Sequence, residues 1–102
     1  MNGIYTITTC ETIKNGHLGW PEFGITRTIG WYQDFNTADL CVRENWGDIW
    51  ETCYNYAIIE YVEEGLYPIT QRWYYQWDSK NWRYIPIEEP KCMKHITNIS
   101  IG

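Results

Sequence analysis

Apolar and polar positions alternate with a period of two along most of this chain and switch to helical spacing only once. Gly3 to Thr9 (GIYTITT) is rich in β-branched residues and predicts a first strand. Lys14-Asn15-Gly16 is a turn signal. Gly16 to Gly24 (GHLGWPEFG) holds three Gly and one Pro and reads as a loop, although it carries Leu18, Trp20 and Phe23. Ile25 to Tyr32 (ITRTIGWY) then returns as a second strand, antiparallel to the first.

The helical stretch follows. Asn36 is an N-cap residue, and Asp39 at N3 suits the helix dipole. Phe35 before the cap and Leu40 at N4 fit a hydrophobic staple. Ala38, Cys41, Val42 and Asn45 share one face, and Gly47 can end the helix. The pattern predicts one helix of about three turns near residues 36–46.

Strand patterning resumes after Asp48-Ile49-Trp50-Glu51. Tyr56 to Val62 (YAIIEYV) is a third strand, ended by Glu63-Glu64-Gly65. Thr70 to Trp77 and Trp82 to Ile87 flank the four-residue loop 78–81 as a hairpin, with Pro86 placing the second strand at an edge or near its end. Met93 to Ile101 reads as a last short strand. The order is ββαβββ. It predicts one α+β domain over residues 1–102, an antiparallel sheet of about five strands with one main helix on a face.

The hairpin separates its side chains into two sets. If Trp77 pairs with Trp82, then Trp73, Tyr75, Trp77, Trp82 and Tyr84 share one face. Arg72, Tyr74, Gln76, Arg83, Ile85 and Ile87 share the other. One helix covers one side of a sheet. The aliphatic set, with Ile58 and Val62, could pack under it, leaving the aromatic set as an outer wall for binding. The competing reading makes the aromatic set the core, because large aromatics are buried for packing more often than displayed. An uncovered face in so short a chain leads to the expectation of a homo-oligomer, most simply a two-fold dimer.

Composition sharpens this. Eighteen of 102 residues are aromatic, seven Trp and nine Tyr against two Phe, which favours rings with a polar handle suited to binding surfaces. The formal net charge of −5 argues against long nucleic acids, whose binding rests on Lys and Arg. The apolar runs are too short to span a membrane, and the N-terminal residues do not read as a signal peptide, so the expected location is cytoplasmic. The four Cys at 10, 41, 53 and 92 fit no disulfide framework and read as reduced thiols.

Catalytic chemistry finds little support in the spacing. Cys92-x-x-His95 begins a metal motif that nothing completes, so no metal is expected. His17 is a lone loop histidine, and Asp48 with Glu51, Glu63-Glu64 and Glu88-Glu89 read as solvated pairs at element ends. No cofactor motif is present. A nucleotide-like ligand has better candidates. Trp20 and Phe23 in the loop and Trp31 on the next strand could stack a base, and Arg27 could pair with phosphate. Arg72 and Arg83 are the competing anion ligands, on the hairpin.

Three groups of residues carry a resemblance: TITTCETIKNG (6–16) with GWPEFG (19–24), GDIWETCYNYAIIE (47–60), and EGLYP (64–68) with RWYYQWD (72–78) and PIEEP (86–90). Together they resemble small uncharacterised proteins of Gram-positive gut bacteria and their phages. The resemblance implies a non-catalytic inhibitor of host defence, either a sponge that sequesters a nucleotide-derived immune signal or a cover for a host defence protein. It implies no active-site residues.

Overall fold

In a computed structural model describing residues 3–101, the sheet is built around β1 (Gly3–Cys10). Residues 6–10 of β1 are buried, which suits a Thr- and Ile-rich strand covered on both sides. After it, β2 (Lys14–Asn15) and β3 (Pro21–Glu22) form a small separate hairpin where the sequence predicts a plain loop. β4 (Thr26–Tyr32) pairs antiparallel with β1. α1 (Phe35–Arg43) leads to β5 (Tyr56–Glu63), β6 (Gln71–Asp78) and β7 (Arg83–Ile87). The sheet order is β4-β1-β5-β6-β7, antiparallel throughout. The protein is therefore α+β, with five main strands and one main helix in ββαβββ chain order.

The helix begins two residues earlier than its capping signals predict. Asp34, not Asn36, is the N-cap: its carboxylate accepts the Thr37 backbone N–H at 2.9 Å and the Thr37 hydroxyl at 3.0 Å. Phe35 thus lies inside the first turn, where it packs on Trp73 and Tyr5. Leu40 is exposed and closes no staple. Ala38, Cys41 and Val42 are buried against the sheet as the spacing predicts.

The aromatic face is the core beneath α1, which corrects the picture of an aromatic outer wall. Tyr75, Trp77 and Tyr84 are buried with Ile7, Ala57 and Ile59 under the helix. Trp73 is half-buried against the same cluster. The reason is volume. Beyond Phe35 in its first turn, the helix buries only the small or short side chains of Ala38, Cys41 and Val42, and Ala57 lies below, so large rings fill the space between layers. The hairpin register is Trp77 with Tyr84 rather than Trp77 with Trp82. A shift of two positions keeps the same face, but it moves Trp82 into the turn, where it is exposed and meets Trp50 and Trp77 edge-on.

The second face carries Ile58 and Tyr74, and it is covered too. Cys10, Ile13 and Phe23 pack there from the β1–β3 region, and Met93, Cys92, Ile96 and Ile99 from the C-terminal segment. That segment is not a strand. It holds a 3₁₀ turn at Lys91–Met93 and then irregular backbone. Side chains of the sheet take up its polar groups instead. Glu60, fully buried, accepts the N–H groups of Ile99 at 2.8 Å and Ser100 at 2.6 Å. Arg72 donates to the carbonyls of Met93 and Ile96. Thr70 N–H donates to the Thr97 carbonyl at 3.0 Å. With both faces covered by the same chain, the argument for a second copy over a bare face falls away.

Candidate binding surfaces

The residues assigned to a nucleotide site do not converge. In β4, Ile7 pairs with Gly30 while Thr8 pairs with Thr28, so Ile29 is an extra, bulged residue. The bulge breaks the alternation that would put Arg27 and Trp31 on one side. Arg27 lies opposite Thr9 and Trp31 opposite Thr6, three residues apart in β1 and hence on opposite faces. Side-chain contacts agree. The Arg27 guanidinium meets Glu51, in the segment after α1, at 3.2 Å. Thr6, the partner of Trp31, bonds Ser100 of the C-terminal segment.

The remaining candidates are scattered. Phe23 is part of the second-face core. The Arg72 side chain is 6% exposed and committed to Glu60, Glu89, Thr70, the Tyr74 hydroxyl and two carbonyls. Such an arginine, buried and bonded within the fold, is a structural clamp and is turned away from any phosphate at the surface. Arg83 is exposed on edge strand β7, opposite Asp78. Trp20 is 64% exposed and lines a pocket of about 240 Å³ with Leu18, Gly19, Cys92, His95 and Ile96. No Arg or Lys lines that pocket.

Groups considered for chemistry serve the fold. Asp48 accepts the Glu51 N–H and holds Asn45 in the turn after α1. Glu89 pairs with Arg72, while Glu63, Glu64 and Glu88 are exposed. His17 is exposed on a 3₁₀ turn. Among the described residues, no three His, Cys, Asp or Glu gather to hold a metal ion. Burial pushes the Cys10 thiol up to about 12, away from reactive thiolate. The exposed Cys53 is also shifted upward, by desolvation and then by Glu11 and Glu51. All four cysteines are free.

One flank of the sheet stands apart from this. β4 ends the sheet, and its outer side is unpaired among the described residues. Between it and the chain leaving α1 runs a groove of about 360 Å³, lined by Ile29, Gly30, Tyr32, Cys41, Trp46 and Ile49 among others. Tyr32 and Trp46 meet edge-on across it. Ile29 is 38% and Trp31 56% exposed. Of this site the sequence reading named only Trp31, which also lines the groove, although a Gly inside a strand pattern is a recognised mark of a bulge or of close backbone approach.

Fold and surface together define a small α+β domain with one open, apolar sheet edge. No protein-family model, characterised protein or solved structure matches the chain significantly. Among the described residues, no helix is long and apolar enough to cross a membrane.

Proposed function

We propose that this protein is a non-catalytic binding module whose partner is another polypeptide. The observation that carries this reading is the β4 flank, an unpaired seven-residue strand beside an apolar groove of about 360 Å³. Unpaired strand edges invite pairing with another chain, and proteins normally block those they do not use. β4 carries one such device, the bulge at Ile29, but it is two residues longer than β7, whose Pro86 also lacks an N–H donor. An inhibitor that covers a host defence protein fits this reading, with the contact moved from the buried aromatic face to the edge.

A second reading keeps a small ligand, since Trp20 stands exposed beside His95 in its own pocket. That pocket suits a planar, uncharged ring better than a nucleotide, because Arg27, Arg72 and Arg83 all lie elsewhere. Two assays on the wild-type protein separate the readings. The first is calorimetric titration with ATP, cyclic dinucleotides and ADP-ribose. The second is selection from a displayed library of random heptapeptides. The polypeptide reading expects enrichment of peptides and no nucleotide heat. Nucleotide binding, with released ligand intact and no peptide enriched, would restore the sponge.

A further inference from the structure

We infer that β4 is completed by strand addition: an extended segment of the partner, apolar at the alternate positions that face the groove and carrying Lys or Arg at its ends, pairs with residues 26–32 and passes closest at Gly30. This rests on the polypeptide-binding reading above. The starting point is a glycine beside the Ile29 bulge that neither a positive φ nor a close contact requires. Glycine is needed where φ is positive or where a side chain would collide. Gly30 is absent from the positive-φ residues, which include Gly19, Gly24, Gly47 and Gly65. A Cβ built on it meets no atom within 4 Å. A residue with a Cβ would meet no clash there, and β-branched residues suit strands better than glycine. What a side chain at Gly30 would obstruct lies outside the chain, on the open edge and in the groove it lines.

The flank also indicates what the segment carries. Side chains of an added strand alternate between two faces. One set would enter the apolar groove with Tyr32, Trp46 and Ile49. The other would point to the opposite face of the sheet. Around the groove, Glu44 accepts the Trp46 indole N–H, Asp48 stands between Gly47 and Ile49, and Glu51 neutralises Arg27. These acids lie on the groove side and outnumber the one guanidinium there, so cationic residues are attracted at the ends of the segment, where it passes beyond the apolar lining. A second copy of this chain is the poorer occupant. It brings its own net charge of −5, and in two-fold pairing its acidic rim would meet the same rim.

The test starts from the heptapeptide library, selected in parallel on wild type and on Gly30→Val. The expected pool is apolar at alternate positions with Lys or Arg at its ends and binds Gly30→Val at least tenfold more weakly, while the variant's Tm stays at the wild-type value. The best peptide is then remade with N-methyl groups on alternate backbone amides. It should lose binding to wild-type protein, a result independent of any variant's folding. Amide exchange in the complex should slow across residues 26–32. Protection at residues 16–22 instead would leave the polypeptide reading standing and refute the edge. Equal binding by Gly30→Val or by the N-methylated peptide refutes strand addition. A pool with no Lys or Arg preference refutes the charge assignment. Failure of any peptide to enrich refutes the polypeptide reading itself. Wild-type dimers that Gly30→Val dissociates would give the edge to a second copy and overturn the proposed partner.

Discussion

Arg72 shows how a residue's neighbours decide its role. Read along the chain, it is one of few cations in an acidic protein and a natural anion ligand. In the fold it lies buried beside Glu60, 3.9 Å away, and clamps the C-terminal segment. Removing one partner of a buried pair leaves an uncompensated charge and costs about 3–5 kcal/mol. Arg72→Ala is therefore expected to lower stability by that order in urea unfolding, with loss of exchange protection at residues 96–100. Arg27→Ala removes exposed contacts with Tyr54 and Glu51 and should lower stability far less than Arg72→Ala. Equal effects of the two would contradict the clamp. Glu60, a charge inside the apolar run AIIEYV, was the legible hint of this network. Its partners were not legible, because Ile99 and Ser100 lie some forty residues away.

Cys10 and the buried tyrosines extend the residue scale to pH. Burial raises the Cys10 thiol from 9.0 to about 12. Tyr74, Tyr75 and Tyr84 are pushed above their ordinary 10.0, chiefly by desolvation. In each case the unfolded chain ionises first as pH rises. The stability these groups contribute is fully present below pH 9, then declines from pH 9 towards 12 as unfolded thiols and phenols lose protons. Urea midpoints measured from pH 7 to 11 should fall beyond pH 9. A midpoint that holds flat through pH 11 would contradict their burial.

At the scale of elements, strand positions were legible from alternation, because period two survives as long as one face is buried. Helix existence was legible as well, and its buried face. The N-cap was not, since Asp34 and Asn36 both offer a capping oxygen and only Phe35's packing on Trp73 selects between them. Asp34→Ala should cost about 0.5–2 kcal/mol, and Asn36→Ala much less. The β4 bulge was signalled only by Gly30 and went unread, and it undid the expected same-side placement of Arg27 and Trp31. Whether the aromatic set faced the helix depended on the size of the helix residues opposite it. Ala38 and Ala57 carried that information, but only once the layers were brought together.

For the whole molecule, both sheet faces are closed by one chain, and what remains open is an edge. The protein alone should therefore scatter light at its monomer mass at micromolar concentration. A stable dimer would point to a second copy at β4 and against a cationic partner. The central claim is that a foreign strand completes the sheet at β4. The most direct measurement is an NMR study of isotopically labelled protein bound to an unlabelled selected heptapeptide. The account expects backbone contacts between peptide α-protons and the amides and α-protons of residues 26–32, arranged as one continuous ladder through Gly30. Contacts confined to Leu18 and Trp20 at the hairpin tip, with β4 unperturbed, would contradict it.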